Sequence, residues 1–475
     1  MFRRRWSSLP ADPEFPSDLQ GLGYFINKDD EVRSIENEDN YFKYFLSRNP
    51  RVCDRQRFAM NQAIQAEIFK RLMTLGLLRL SLPLGASPSL HPNVPIFITS
   101  KLLVNSRVVI IFGETHQDLG VLAHRVLGGP GGINKGSLVS VVKALLHKRS
   151  SPTDPLPPGI ILANMGELIW WPEGRRTLNR FAFDWAPMRS AAHIGNYVDS
   201  ELNRVRNNED PMAHVKYIFE KIVPAIVNPK AGLDIIGLGD GADVVESYLN
   251  SDKTWEGLGD RINCFASVGG QFPRWEVKCD GLREFLKDRA RAYAPSTESL
   301  GLVLSGPSGN PHTTTFTSLG CPVLSAGEPE HVETLFIASH ETVLNWLQEV
   351  ADTPAEKKPY VNPAFTVSYS DAPDGDNDDD DGMRAHKITM DRDEGKESTQ
   401  SQQYENFVEE NGGNESSGAG GQKIITRDNS IGNDGVNGDE PALKKEEEQI
   451  QGDREYVIRL KGNDPRDGTE GDKEW

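Results

Sequence analysis

The sequence predicts a doubly wound α/β fold with a mostly parallel sheet, followed by an acidic C-terminal tail. Two observations support this prediction. Between residues 107 and 350, short runs of β-branched apolar residues alternate with longer amphipathic stretches, the pattern of strands and crossover helices in a parallel sheet. The charge is also unevenly divided. Residues 371–475 hold 29 acidic and 13 basic residues, so this tail carries most of the formal net charge of -18.

The first elements precede this alternation. Residues 1–14 are expected to form a flexible N-terminus. The segment GYFINKDDEVRSI has short apolar ends around a polar turn, which predicts a hairpin. Asp54 is the expected N-cap of a helix whose apolar side chains lie mostly on one face, namely Phe58, Ile64, Ile68, Phe69 and Leu72. The segment PIFIT is then a candidate strand.

Uninterrupted apolar runs predict the buried strands of the parallel sheet: RVVIIFG, GIILAN, LDIIG, INCFASV and CPVLSAG. Amphipathic segments predict the helices: SLVSVVKALLHK, AHVKYIFEKIVPAIV, DGLREFLKDRARAY and ETVLNWLQEV. Pro224 must kink or end the second of these helices, because proline has no backbone N–H. An insertion rich in Trp and Arg, MGELIWWPEGRRTLNRFAFDWAP, is expected to pack on the domain as a lid.

The predicted α/β domain spans residues 15–352, and residues 353–475 are predicted to be a disordered acidic tail. The block DNDDDDG and the polar run NGGNESSGAGG contain almost nothing that could build a core. Residues 1–370 hold 41 acidic and 39 basic residues, so this part of the chain is close to neutral. An even balance of acidic and basic residues does not predict a basic surface for binding nucleic acid.

Several classes of protein are not expected. No run of about 18 apolar residues is present, so no membrane span is predicted. The basic start MFRRRW has no apolar segment after it, so no secretory signal is predicted. The four cysteines have neither zinc-ligand spacing nor the density of a disulfide framework. They are expected to be reduced thiols in the nucleus or cytoplasm, with no metal site.

The stretch LDIIGLGDGADVV has several interpretations. The first is a dinucleotide loop, since Gly237–Ala242 fits the pattern G-x-G-x-x-A and follows a strand. The acid that should bind the ribose would follow about 20 residues later. Asp260 is at that distance, but it precedes the next predicted strand instead of ending it. A nucleotide-binding protein is therefore one alternative.

The second interpretation is a nucleophile elbow at a strand-to-helix turn, where small flanking residues relieve crowding. Gly237 and Gly241 would be the flanking glycines, and Gly239 would stand where the nucleophile belongs. Shifting the register by one residue makes Asp240 a candidate nucleophile, with Leu238 in a position that favours a small residue. The third interpretation, which we favour, is an elbow that keeps its turn and has no nucleophile.

The other members of a catalytic triad are only partly present. His340 is predicted just before the last helix, where the base of such a triad stands, and His331 lies closer to the last strand. The expected acid should follow INCFASV, where the chain instead has Gly269 and Gly270. In the loop after RVVIIFG, Glu114 would oppose a developing oxyanion.

The order of these segments resembles the Argonaute-binding protein 2 domain family, over roughly residues 15–350. The resemblance rests on LGYFINKDDEVRSI, FAMNQAIQAEIFKRL, VPIFIT, KLLVNSRVVIIFG, IIGLGDGAD, INCFASV and CPVLSAGEPEH…ASHETVLNWL. It implies an α/β-hydrolase-like domain, which also follows the deacetylase domain in some class II histone deacetylases. Some members have serine in the elbow, where this chain has Gly239.

The resemblance implies a role in Argonaute complexes with small interfering RNA and in heterochromatin assembly. We therefore expect a non-catalytic adaptor with protein partners, indirect contact with RNA, no membrane association and no cofactor. The alternatives are a serine-less hydrolase that uses Asp240 and His340, and a nucleotide-binding protein that uses Gly237–Ala242.

Overall fold

A nine-stranded mixed sheet forms the centre of the fold, and helices pack on both of its faces. The computed structural model describes residues 9–88, 90–190, 196–313, 318–354, 357–367 and 369, with the backbone of residues 388–389. The architecture confirms the predicted doubly wound α/β fold. Most of the predicted acidic tail, and the first residues of the N-terminus, lie outside the described residues.

The strands are β1 (Tyr24–Ile26), β2 (Val32–Ser34), β3 (Leu77–Leu82), β4 (Val94–Thr99), β5 (Arg107–Phe112), β6 (Gly159–Ala163), β7 (Ile169–Trp171), β8 (Arg176–Leu178), β9 (Gly232–Leu238), β10 (Ile262–Val268), β11 (Ala290–Ala294), β12 (Val303–Ser305), β13 (Val323–Ser325), β14 (Thr366–Val367) and β15 (Ile388–Thr389). The helices are α1 (Pro50–Thr74), α2 (His124–Leu127), α3 (Gly132–Lys135), α4 (Leu138–Leu146), α5 (Arg180–Asp184), α6 (Pro211–Tyr217), α7 (Val223–Ile226), α8 (Asp240–Leu249), α9 (Asp252–Leu258), α10 (Asp280–Arg289) and α11 (Leu335–Ala351).

The parallel strands of the large sheet occur in the spatial order β6-β5-β9-β10-β11-β13. Strands β4 and β3 extend the sheet beside β6, and β12 extends it beside β13, all in antiparallel pairs. The chain runs from β5 outward to β6 and then returns to β9 on the other side of β5. The strand order therefore reverses between β5 and β9, and ligands of open α/β sheets bind at such a switch point.

Strand β5 contributes to the hydrophobic core on each face of the sheet. All of its residues are buried. Val108 and Ile110 pack with helices α6, α8 and α10, whereas Val109 and Ile111 pack with α1, α4 and α11. Burying each such aliphatic side chain contributes about 1.5–3 kcal/mol to stability. A strand that is buried on both faces must be apolar at every position, as RVVIIF is.

Helix α1 begins earlier than predicted, and the prediction of Asp54 as its N-cap is wrong. Asn49 is the cap; its side chain accepts a hydrogen bond from the backbone N–H of Arg51 at 3.0 Å, and Pro50 occupies the first helical position. Asp54 is buried within the helix and accepts a hydrogen bond from the Tyr44 hydroxyl at 2.8 Å.

Two later helices also have different bounds from those predicted. Helix α10 ends at Arg289, because the following residues form β11, where Tyr293 is buried between parallel neighbours. Strand pairing overrides helix propensity there. Helix α11 begins at Leu335, so His340 lies inside it. The prediction that His340 precedes the last helix is wrong.

Pro224 was predicted to kink or end the helix; the helix does not end there, but its hydrogen-bonding pattern changes just before the proline. Helix α6 passes into a π-helical turn over Ile218–Ile222 before α7 continues. Proline has no N–H and its ring crowds the carbonyl four residues earlier. The wider turn directly before Pro224 accommodates both effects without ending the helical path.

Residues 357–367, which we call the C-terminal strap, follow the predicted domain end at residue 352 and pack on the body. Tyr360 is 9% exposed, and its hydroxyl donates to Glu349 Oε1 at 2.9 Å. Arg291 donates to the same hydroxyl at 3.0 Å and to Asn362 Oδ1 at 3.2 Å. The packed part of the chain therefore extends beyond residue 352.

Candidate functional site at the end of strand β9

Strand β9 leads through one residue into helix α8, and this residue is Gly239. Its backbone has φ 51° and ψ -135°, a region that residues with a Cβ atom rarely adopt. Its N–H donates to the carbonyl oxygen of Val268 on the neighbouring strand β10 at 2.8 Å. The turn lies beside the end of β5, at the switch point of the sheet. It has the location and backbone conformation of a nucleophile elbow, with glycine at its apex.

The two flanking glycines are required by contacts within the protein. A Cβ atom on Gly237 would lie 2.5 Å from the Cα of Ala242, and one on Gly241 would collide with the carbonyl oxygen of Gly113. Asp260, the residue considered for binding a ribose, precedes β10 and so lies at the opposite end of the sheet from the loop. Close packing of α8 against the strands therefore requires these glycines, and no bound nucleotide is needed to explain them.

Glu114, from the loop after β5, fills the space beside Gly239. A Cβ atom on Gly239 would lie 2.8 Å from Glu114 Cγ and 3.2 Å from its Oε1. Burial raises the pKa of Glu114 to about 7, and the negative charges of Asp240 and Glu333 add to this increase. The carboxyl group is thus partly protonated at neutral pH. An anionic intermediate at this position would meet negative charge, where acyl transfer needs hydrogen-bond donors.

The pocket above the elbow is narrow. Its volume is about 10 Å³, room for about one water molecule. Side chains from the loop after β5 and from the start of α11 close it. The lining includes Glu114, Gln117, Gly239, Val332, Glu333 and Phe336. An ester substrate could not reach Gly239 without movement of these side chains.

Asp240 lies next to the pocket as the first residue of α8, and it is exposed. One carboxylate oxygen accepts the backbone N–H of Thr115 at 2.8 Å, and the other accepts the Thr115 hydroxyl. These bonds connect α8 to the loop after β5.

His340 is not brought to the elbow pocket. It lies within α11, where its Nδ1 is 3.0 Å from the carbonyl oxygen of Ile337 and its ring contacts Phe336 edge-on. Phe336, one turn earlier, lines the pocket instead. His331 precedes a short 3-10 turn, and its Nε2 is 3.6 Å from Glu330 Oε2.

The position expected for a catalytic acid, directly after β10, holds Gly269, Gly270 and Gln271. Asp243 of α8 supports this loop by accepting the backbone N–H groups of Gln271 at 2.7 Å and Phe272 at 3.0 Å. Burial raises the pKa of Asp243, while these two hydrogen bonds oppose that increase. The carboxylate that is present therefore shapes the loop, and its hydrogen bonds among the described residues are to backbone N–H groups and not to a histidine.

Sequence reasoning missed a second group of buried acids, at the same end of the sheet. Glu167 Oε2 accepts the backbone N–H of Leu119 at 2.8 Å and Gln65 Nε2 at 2.9 Å. Asp118 Oδ1 accepts Asn179 Nδ2 at 2.5 Å. Burial and the nearby charge of Asp118 raise the pKa of Glu167 to about 8. The signal in the sequence was a single acid inside the apolar run MGELIWW, directly after a buried strand.

A fully buried histidine completes the polar core near these acids. His214 Nδ1 lies 2.7 Å from Asn208 Oδ1, and its Nε2 accepts the backbone N–H of Asn164 at 3.2 Å. Burial lowers the pKa of His214 to about 3, so the ring is neutral. Its role is to satisfy a backbone donor at the end of β6.

Within the described ranges, no group of three or more His, Cys, Asp or Glu side chains is arranged to hold a metal ion. No helix in that part of the chain is long and apolar enough to cross a membrane. The four cysteines are buried with free thiols.

The family model of the Arb2 domain matches residues 15–300, well over half of the chain. The chain belongs to the Arb2 domain family. This match confirms the family resemblance that the sequence predicted. Beyond residue 300, the Arb2 domain of this chain continues its sheet with β12 and β13 and covers it with α11. Among curated proteins, none matches the chain.

Two solved structures are similar to this Arb2 domain at low identity. Carboxyl esterase 2 from the mycorrhizal fungus Tuber melanosporum shares 11% identity, with 58% of this chain and 83% of the esterase covered and a TM-score of 0.27. A bacterial heroin esterase shares 11% identity, with 49% of this chain and 59% of the esterase covered and a TM-score of 0.21. At these TM-scores neither esterase indicates what this chain does.

Proposed function

We propose that this Arb2 domain is a non-catalytic, hydrolase-like adaptor. The observation that carries the proposal is Gly239 at the apex of the elbow, with Glu114 in the space that a nucleophile would need. Acyl transfer requires an activated nucleophile, a base within hydrogen-bonding reach and donors that face the oxyanion. His340 bonds to a carbonyl of its own helix, and the narrow pocket presents carboxyl groups.

The adaptor would act with protein partners, in complexes that contain an Argonaute-type protein or in heterochromatin assembly. Membership of the Arb2 domain family supports this assignment. RNA would be contacted through the partner, since residues 1–370 hold 41 acidic and 39 basic residues and so have no basic excess. Such a role places the protein in the nucleus, the cytoplasm or both.

Affinity purification tests the adaptor role. Tagged full-length protein should recover an Argonaute-type or chromatin protein, and Gly239→Ser at matched expression should recover the same partner. Adding serine at the elbow changes a pocket that the adaptor does not use for chemistry. If purification recovers only metabolic enzymes, or nothing, the silencing role is wrong.

A direct assay tests the absence of catalysis. The purified chain should give no turnover above buffer with ester and thioester probes. Asp240→Asn and His340→Ala should be indistinguishable from the unaltered protein. Turnover that disappears in either variant would instead establish the serine-less hydrolase.

A further inference from the structure

A cleft of about 470 Å³ opens at the end of the sheet opposite the elbow. Its walls come from the starts of β5, β9 and β10, the end of α11 and the C-terminal strap. Pockets that hold small molecules and cofactors usually measure about 300–1,000 Å³. The cleft therefore has the size of a ligand site, and it shares no residue with the elbow pocket.

The charge of this cleft is strongly positive, although the chain as a whole is acidic. Lys230, Arg261, Arg289 and Lys358 line it, against one carboxylate, Asp260. A fifth cation in the lining is neutralised, because Arg107 Nε bonds to Asp234 Oδ2 at 2.7 Å in a buried ion pair.

The other two guanidinium groups of the cleft, those of Arg261 and Arg289, are bonded only in part. Arg261 donates to the carbonyl oxygens of Asn228 and Ala231, and Arg289 donates to that of Ile262. Among the described residues, neither forms an ion pair with a carboxylate. Burial lowers the pKa of both side chains. The negative charges of Asp288 and Asp260 act on Arg289, whereas burial alone acts on Arg261, so Arg261 gains most from a bound anion.

Two buried polar atoms in the lining have no hydrogen-bond partner among the described residues. They are Nε of Arg261 and Oγ of Ser150, a residue that is only 3% exposed. Buried donors are almost always paired, and an unpaired one is costly. Ser150 and Arg261 both line the positive cleft, but these two atoms are themselves closed to water, so an oxyanion reaches them only when the side chains around them move.

We propose that this cleft binds a small ligand that carries two or more linked phosphate groups, with Arg261, Arg289 and Ser150 as its hydrogen-bond donors. Guanidinium groups match phosphate oxygens in both geometry and charge. Lys230 and Lys358 lie exposed at the rim, where they would neutralise further charge. A single phosphate group would fill only a small part of the cleft and neutralise only part of its charge.

Calorimetric titration of the full-length protein at low ionic strength tests this site. The probes are pyrophosphate, ATP and inorganic phosphate. Pyrophosphate should bind measurably below 1 mM, and inorganic phosphate should bind more weakly. Equal affinity for pyrophosphate and ATP would indicate that the phosphates alone are recognised, whereas tighter ATP binding would indicate a nucleoside ligand. Absence of binding to both pyrophosphate and ATP at that concentration would overturn the proposal.

Variants locate the binding. Lys230→Gln combined with Lys358→Gln should weaken pyrophosphate binding about tenfold, whereas Lys28→Gln combined with Lys70→Gln, an equal charge change at two exposed lysines outside the cleft, should not. Ser150→Ala should also weaken binding about tenfold, while the free protein keeps or gains stability because an unpaired hydroxyl is removed. Unchanged affinity in both sets of variants would overturn the site.

Discussion

Gly239 combines a positive φ with the close approach of Glu114, so two separate costs oppose a side chain there. Gly239→Ser should therefore lower the free energy of unfolding by about 1–3 kcal/mol, as measured by urea denaturation. Gly257→Ser is the control: no atom lies within 4 Å of its Cβ position and its φ is ordinary. An unchanged midpoint for Gly239→Ser would show that the elbow accepts a nucleophile.

Glu114 makes stability depend on pH in a defined window. Its pKa of about 7 lies above the ordinary 4.5, so between these values the folded protein keeps a proton that the unfolded chain has lost. Stability should fall as pH rises from about 4.5 to 7, and Glu114→Gln should remove the part of this dependence that Glu114 contributes, while the part due to Glu167 remains. The variant should gain about 2 kcal/mol relative to the unaltered protein between pH 5 and pH 8.

The control for this experiment is Glu173→Gln, an exposed acid on the turn between β7 and β8. Its stability relative to the unaltered protein should not change between the two pH values. If Glu114→Gln also keeps a constant difference, the carboxyl group is ionised at neutral pH and the pocket is more hydrated than its packing indicates.

Single residues of the site were predictable only where the backbone determines them. The pattern G-x-G-x-G after an apolar run indicated the turn at Gly239, because the flanking glycines report local crowding. Glu114 was predicted to oppose an oxyanion, but its burial and that of Glu167 were not predictable, because burial depends on contacts with residues distant in sequence. His340 was misplaced because the apolar residues from Leu335 onward extend the last helix.

At the scale of the elements, β5 and β9 are joined by a buried ion pair near their first residues. Arg107 and Asp234 have side chains that are 3% and 1% exposed, and Asp234 also accepts Asn263 Nδ2 at 2.9 Å. Asp234→Asn should lower the free energy of unfolding by about 3–5 kcal/mol, since it leaves a buried cation without a partner. Urea denaturation of the full chain measures this loss.

Two comparisons isolate the effect of the buried charge. Arg107→Met combined with Asp234→Leu should recover most of the lost stability, because no uncompensated charge remains. Arg180→Gln breaks an exposed pair with Asp184 and should cost less than about 1 kcal/mol. A loss in Asp234→Asn as small as that in Arg180→Gln would contradict the prediction.

Elements were predictable in proportion to their burial. The central strands are uninterrupted apolar runs, so RVVIIF and INCFASV were recognisable as β5 and β10. The edge strands β3 and β12 were not identified, because their apolar runs are short or interrupted by polar residues and each depends on a neighbouring strand for pairing. The segment ARAY looked helical and became β11 through the same dependence on neighbours.

At the scale of the whole molecule, the two ends of the sheet carry opposite charge. The carboxyl end holds Glu114, Asp240 and Glu333 around the elbow, whereas the opposite cleft holds an excess of lysine and arginine. The near-neutral count of charged residues in the sequence does not reveal this separation, because a count does not say where in the fold each charge lies. The fold creates the separation by placing alternate loops at opposite ends of the parallel strands.

The C-terminal strap belongs to the folded body, so a chain that ends at residue 352 should be less stable than one that ends at residue 370. Removing the strap takes Tyr360 and Asn362 from Arg291, which is only 8% exposed. The shorter chain loses these hydrogen bonds to a buried cation and no longer buries one aromatic ring. Its free energy of unfolding, measured by urea denaturation, should therefore be lower by about 2–4 kcal/mol.

Limited proteolysis of the full-length protein gives an independent measurement of the same boundary. The acidic composition after residue 370 predicts that protease removes this region first and leaves a product that retains Tyr360. Tyr360→Ala should shift the first stable product toward residue 352, whereas Val361→Ala, at an exposed neighbour, should not. If both variants give the product of the unaltered chain, the strap contributes nothing to the stability of the body.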